Sequence, residues 1–415
     1  ALLKEAMPNR SALELKATLM NSANLDVTME ARSLNPDAAL APISYIGAGL
    51  VDVEKASMLS VAAWDKDTKQ AALAYGLKNL SATTVMTKTI TIKNFSSEAK
   101  RYISSIDQRF SDDASTGAIQ FSLPAIVMVP AGGSVDVDVT LTVDPSRLPE
   151  WTLDSDALAS VEGTENLTSV EFDGAINFKQ GDESFHLVYH ILPKASASVA
   201  LSSEITEEGI EYYVSNNGVV DLEAFTVPLT VEDAVGDSPY LDLQAGSIEV
   251  LEVPTGFCAS GYSVFTTFTM ADGFASTNTG GFYVDFDMDS DGVYDHTAQA
   301  FPLDGFGYDA PGYTVTYTFP WSGPGGYIGN LYFTPGNNFT TLQSCIEEVG
   351  LTAADLGNMN ATVTFRIGET QWEWNAGDGI DVATVSGVDF ALSDALTMLV
   401  DDEDEAVDTL AVGEK

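Results

Sequence analysis

The residues whose types and spacing bear on chemistry run from Asp287 to Asp295, where the chain reads Asp287-Met288-Asp289-Ser290-Asp291-Gly292-Val293-Tyr294-Asp295. Carboxylates fall at the first, third, fifth and ninth positions, Gly292 at the sixth and the Val293 carbonyl at the seventh. That order matches the first nine positions of a loop wound around Ca²⁺. A turn tightened at Gly292 aims alternate oxygens at one centre, and Ca²⁺ accepts six to eight of them. The twelfth position is Ala298 instead of the usual bidentate Glu, so another strand or water must complete the shell, with Asp285 as a further ligand. The opposing reading is a solvated acidic hairpin. Against it, four Asp within nine residues repel one another when no cation is present. The expected ligand set is Asp285, Asp287, Asp289, Asp291, Val293 and Asp295, with Ca²⁺ as the cofactor.

Few other residues invite a chemical role. Cys258 and Cys345 are the only cysteines. In an exported chain they read as one disulfide, stabilising by roughly 4 to 5 kcal/mol through loop entropy; the alternative is two buried thiols. His186 and His190, four apart on an expected strand, lie about 13 Å from each other, too far to share a metal. His296 stands just after the Asp loop. Trp372-Glu373-Trp374 suggests a sugar platform with an acid, but strand alternation puts both Trp on one face and Glu373 on the other, which favours packing. The last 220 residues hold 36 carboxylates, so glycosidase-like pairs there arise by coincidence. No Gly-x-Ser-x-Gly elbow, phosphate-binding Gly loop or His-Glu-x-x-His occurs, and no catalytic residue is assigned.

The elements that must position these residues are mostly strands. With 415 residues, 18 basic against 61 acidic, the net charge is −43. Nucleic acid and anionic membrane are excluded as partners, because phosphate binding needs clustered Lys and Arg. At 45% hydrophobic residues the chain folds. No apolar run approaches the ~20 residues of a membrane span. The composition suits a secreted, extracellular bacterial protein, and the opening inside a helix without an initiator Met reads as a fragment. Residues 1–58 hold 5 basic and 7 acidic groups, 59–195 hold 11 and 18, and 196–415 hold 2 and 36, which marks a break near Pro193. In the first segment a helix stops at Met7-Pro8. Ser11-Ala12-Leu13-Glu14 is a capping box opening a helix with an apolar stripe at Leu15, Leu19 and Ala23. Gly47-Ala48-Gly49-Leu50-Val51-Asp52 turns into a third helix. From about Ala82 the period becomes two, clearest where Val135, Val137, Val139, Leu141 and Val143 alternate with polar residues. Similar runs at Thr87 to Lys93, Phe185 to Ile191 and Ala361 to Arg366 argue β-sandwich modules. Asp401-Asp402-Glu403-Asp404-Glu405 reads as a solvated tail.

Ala1-Leu2-Leu3-Lys4, Pro8, Ser11, Lys16-Ala17-Thr18-Leu19-Met20-Asn21-Ser22-Ala23 and Gly47 to Asp52 stand in an order and spacing that resembles the end of the catalytic domain of subtilisin-like serine proteases, the subtilases, with Ser22 where Thr is usual. Residues 66–195 resemble the fibronectin type III-like domain that follows it, on Thr87 to Phe95, Pro130 to Ser134 and Pro193. Residues 196–400 resemble, more weakly, a further β-rich module of large subtilases. The resemblance implies a mostly β fold: tandem β-sandwich modules (fibronectin III/Ig-like) preceded by a short α-helical remnant of an α/β subtilase domain. The segments are 1–58, 59–195, 196–400 and an acidic tail at 401–415. The resemblance further implies that the chain is the C-terminal accessory region of a secreted subtilisin-like serine endopeptidase. Its catalytic Asp, His and Ser lie upstream and are absent here. Its partners are then the missing upstream protease domain and, through the parent enzyme, protein or peptide substrates. The rival class is a non-enzymatic calcium-dependent β-sandwich surface or adhesion protein. A third reading is a carbohydrate module around Trp321, Trp372 and Trp374.

Overall fold

The computed structural model describes residues 2–153, 163–205, 210–223, 228–236, 238, 241–278, 280–310, 312–368, 381–393, 399–400, 406–407 and 409–412. The N-terminal segment becomes helical where the sequence supplies caps. α1 (Leu2–Ala6) stops ahead of Pro8. α2 (Ala12–Ser22) begins on Ser11, whose hydroxyl accepts from the Glu14 N–H while the Glu14 carboxylate accepts from the Ser11 N–H. α3 (Ile43–Ile46) follows, and α4 (Val53–Met58) is capped by Asp52, which accepts from the Lys55 N–H at 2.8 Å.

Nine strands then build a two-sheet sandwich. They are β1 (Val61–Asp65), β2 (Ala72–Leu80), β3 (Thr84–Asn94), β4 (Lys100–Gln108), β5 (Ile119–Ser122), β6 (Ile126–Val129), β7 (Ser134–Val143), β8 (Phe172–Gln180) and β9 (Glu183–Ala195). One sheet has the order β1-β3-β7-β5 and the other β2-β9-β8-β4-β6, with β2 and β9 parallel. In β7 the alternation reads as expected: Val137, Val139, Leu141 and Val143 are buried. Asp136 and Asp138 face outward and accept from Thr91 and Thr89 across the ladder. The core is shared by both sheets, with Ile90, Ile92 and Leu141 from one meeting Phe178, Leu187 and Tyr189 from the other.

Strands begin earlier than the period-two pattern indicates. All five residues of β1 are buried, because α2 covers the sheet face that would otherwise meet water, so no alternation survives to be read. The helices are correspondingly not a separate segment: residues 1–151, 168–200 and 217–220 form one compact unit. The stripe expected at Leu15 and Leu19 is only half-buried. The buried face of α2 is instead Glu14, Ala17, Thr18, Asn21 and Ser22. Small residues allow close approach to Ala62, Trp64 and Ala71, and polar ones satisfy the backbone they meet. Asn21 donates to the His186 carbonyl (2.9 Å) on β9 and accepts from the Ala63 N–H (2.8 Å) on β1, tying the two sheets together. Arg10 donates to Thr18 and to the Leu59 carbonyl, with its guanidinium 4.1 Å from the Phe95 ring centroid.

Residues 152–167, 201–216 and 221–415 form the second unit. β10 (Val199–Ile205) and β11 (Ile210–Asn216) pair as a ribbon, and β12 (Leu222–Glu223) pairs with Thr409–Leu410. The sandwich of this unit uses β13 (Val231–Glu232), β14 (Leu243–Glu252), β15 (Tyr262–Met270), β16 (Gly281–Asp287), β17 (His296–Pro302), β18 (Thr314–Pro320), β19 (Tyr327–Gly329), β20 (Leu331–Tyr332), β21 (Phe339–Cys345), β22 (Ala361–Gly368) and β23 (Asp381–Val388). The sheet β13-β14-β15-β21-β20 packs on β19-β18-β17-β16-β22-β23. At the centre Phe268 meets Phe282 and Phe365 edge-on, at centroid distances of 5.5 and 5.2 Å. Cys258 and Cys345 are disulfide-bonded, tying the turn before β15 to the end of β21.

Candidate metal centre

Alternation along β16 places Tyr283, Asp285 and Asp287 on one face of its sheet. The chain leaves β16 through Ser290 and Gly292, both in the left-handed region (φ 57° and 88°), and re-enters as β17 at His296. Gly292 suits that conformation, having no Cβ to clash. Carboxylates wind the turn. Asp287 accepts from the N–H groups of Asp291 (3.1 Å) and Gly292 (2.8 Å), Asp291 from that of Val293 (2.8 Å), and Asp295 from that of Met288 (2.8 Å). Ser290 donates to the Asn360 carbonyl (2.7 Å), fastening the loop beside β22.

The result is that one oxygen each from Asp287, Asp289 and Asp295 lies within 4.8 Å of the others. Two Ca–O bonds of about 2.4 Å span that separation. Asp287 is buried, Asp289 exposed and Asp295 half-buried. Asp291 spends an oxygen on the Val293 N–H and lies outside this triad. The Val293 residue is exposed.

Asp285 must be withdrawn from the ligand set. It is fully buried, and both of its oxygens are engaged: Thr297 donates to one (2.5 Å) and Arg366 Nε to the other (3.0 Å). A buried carboxylate needs a partner, and Arg366, its guanidinium 4.1 Å from the Tyr283 ring centroid, supplies the charge. One sequence signal was available for this pair. Arg366 is the only arginine after residue 195 and sits within an apolar strand.

The other candidates resolve into structural roles. His186 is buried against the Ala48 carbonyl (3.3 Å), and burial pushes its pKa down to about 4. His190 contacts Glu171 at 2.9 Å, so the two imidazoles engage separate partners. Burial likewise lowers the pKa of His296 despite the opposing charge of Asp295. Trp372, Glu373, Trp374 and the acidic run at 401–405 lie outside the described residues.

Sequence reasoning missed a second acidic cluster, in the first unit. Asp173 on β8 accepts from the Ile43 N–H (2.5 Å), and burial pushes its carboxyl up to about 6. Asp113, in the helix α5 (Ser111–Thr116), is pushed up to about 8 by burial and then by the charges of Asp112, Asp173 and Glu171. These residues lie on separate elements, so no local motif announces them. A cavity of about 220 Å³ is lined by Leu25, Asp26, Leu40, Asp107, Arg109, Gly174 and Ala175. Arg109 is occupied by the carbonyls of Leu25, Val27 and Ala41, which makes it a brace for the loop before α3.

Compared with known proteins, the chain matches no family model and no curated protein. Among solved structures it is similar in part to tripeptidyl peptidase 2 (9% identity, TM-score 0.27, covering 81% of this chain and 23% of that one). It is also similar to a FixG-related protein from Vibrio parahaemolyticus (9%, TM-score 0.21, 32% and 94%) and to a putative carbohydrate binding protein from Bacteroides ovatus (7%, TM-score 0.19, 73% and 64%). Similarities this low carry no argument about ancestry or activity.

Proposed function

We propose that this chain is the C-terminal accessory region of a secreted subtilisin-like serine endopeptidase. Peptide-bond hydrolysis belongs to the whole protein, and this region stabilises the peptidase domain or shapes access to it. The observation that carries the reading is a set of exposed apolar side chains on the N-terminal helices. Leu2, Leu50, Val51, Val53 and Met58 are between 43% and 71% exposed, on α1, on α4 and on the turn between α3 and α4. Exposed apolar side chains of this size are suited to being covered by a partner, and in the subtilase reading that partner is the body of the peptidase domain. The disulfide fits an oxidising, extracellular compartment. The test is the coding sequence upstream of Ala1: a Gly-Thr-Ser-type nucleophile motif immediately before it supports the reading, and its absence overturns it.

The Asp287, Asp289 and Asp295 triad holds Ca²⁺ in this account, with the Val293 carbonyl and water completing the shell. An oxygen-rich loop suits the larger coordination number of Ca²⁺ better than the tight octahedron of Mg²⁺. The same convergence of carboxylates favours the second reading, a calcium-dependent β-sandwich surface protein, which the upstream sequence would separate from the first.

A further inference from the structure

One edge of the sheet β2-β9-β8-β4-β6 is β6, which reads Ile126-Val127-Met128-Val129 and is bounded by Pro124 and Pro130. Two hydrogen bonds fix the phase of its ladder with β4. Ser104 donates its N–H to the Ala125 carbonyl (3.1 Å), whereas the Arg101 N–H points the other way, to the Gln180 side chain on β8 (2.6 Å). Tyr102 and Lys100 therefore turn their backbone groups toward Val127 and Val129, and Ile126 and Met128 turn theirs away from β4. Among the described residues nothing donates to or accepts from the Ile126 and Met128 backbone on that outer side.

The same two residues carry the exposed face. Val127 and Val129 are buried in the core, while Ile126 and Met128 are 46% and 56% exposed, and Ile103, directly across from Ile126, is 57% exposed. An unpaired strand edge with large apolar side chains beside it is a template for a further strand. Cations lie next to it. Arg101 stands across from Met128 and Lys179 across from Ile103; both are exposed, and neither joins an ion pair among the described residues. The first carboxylate on this face of β4 is Asp107, about 13 Å along the strand from Ile103. In a chain of net charge −43, this edge thus carries a local positive field.

We propose that β6 takes up an extended, acidic segment of a partner protein as a sixth strand of this sheet. The backbone sets the class of occupant. An N–H and a C=O repeated two residues apart, about 7 Å, match another strand and match neither a lipid nor a sugar. Charge then selects among strands. Two-fold pairing of β6 with its own copy would satisfy the same backbone groups, but it would add two further cations to one face and bring together two chains of net charge −43. A foreign segment with apolar side chains beside Ile126 and Met128, and carboxylates flanking them toward Arg101 and Lys179, meets all three features. The inference needs neither the calcium loop nor an upstream peptidase.

The probe is a fluorescently labelled peptide, Glu-Thr-Val-Thr-Val-Thr-Glu, whose valines and glutamates share one strand face, with binding to the purified chain read by anisotropy. It should bind saturably, and its counterpart with lysine in place of both glutamates should bind about tenfold more weakly or worse. N-methylating the two valines removes the N–H groups aimed at β6 and keeps every side chain, so it should weaken binding by about the same factor. Met128→Pro removes the outward N–H but no bond to β4; it should leave Tm nearly unchanged and likewise weaken binding, while Met128→Leu keeps it. No saturable binding, equal binding of the lysine peptide, or binding that survives N-methylation overturns the proposal. Binding that survives Met128→Pro does so too, and if that variant fails to fold, the N-methylated peptide decides alone. Self-association of the chain that Met128→Pro abolishes, with no peptide bound, would assign the edge to a second copy and overturn the acidic partner.

Discussion

Asp285 and Asp287 stand two residues apart on the same face of β16, yet their surroundings separate them. Asp285 is committed to Arg366 and Thr297, while Asp287 faces Asp289 and Asp295 at the loop. Two substitutions should therefore part company. Asp289→Ala should abolish the calcium-dependent rise in thermal stability, which at a hundredfold excess over Kd amounts to about 2.7 kcal/mol. Asp285→Asn should leave calcium binding by calorimetry unchanged and cost about 3–5 kcal/mol, since it strands a buried arginine. If chelator leaves the native unfolding transition unmoved and calorimetry detects no binding, the loop is a solvated acidic turn. The Asp loop was legible because its donors are contiguous. Arg366 was not, since it lies 81 residues from Asp285 and the two meet only through the pairing of β16 with β22.

At the scale of elements, the helices were legible wherever a cap is encoded locally: Ser11 with Glu14, and Asp52 before α4. Where they dock was not, because the receiving surface is formed by strands more than a hundred residues apart. Asn21 shows the consequence, its amide joining β1 to β9. We expect amides of α2 to exchange with deuterium as slowly as those of β1 and β9, and Asn21→Ala to accelerate exchange in all three together. Faster exchange in α2 alone, in the native chain, would contradict this docking. The acidic cluster around α5 gives this unit a pH dependence. The raised pKa of Asp113 means that the folded state holds more protons than the unfolded state between about 4 and about 8, so its contribution to stability falls as pH rises across that window. His186, lowered to about 4, acts oppositely between about 4 and its ordinary value of 6.5, where stability rises with pH. Above pH 6.5 Asp113 therefore dominates. Asp113→Asn should raise Tm relative to the native chain more at pH 8 than at pH 5; equal shifts at both values would show that the carboxyl is not buried as described.

Over the whole molecule, the strands and the disulfide follow from patterns the sequence displays openly, such as the alternation in β7 and a single pair of cysteines. Function is legible less directly, because the described residues hold an Asp triad at a loop, a row of aromatic rings and exposed apolar side chains on short helices, each of which admits more than one role. Under the proposed reading, peptide-bond hydrolysis belongs to a longer protein and this region carries the surface on which that protein's peptidase domain rests. Fluorophosphonate labelling tests this most directly, applied to this chain and to the same chain extended through its upstream coding sequence, with casein hydrolysis followed in parallel. The account predicts that the extended protein is labelled and cleaves casein and that this chain alone does neither. An extended protein that is neither labelled nor active, or labelling of this chain that is lost when one of its own serines is changed, would contradict it.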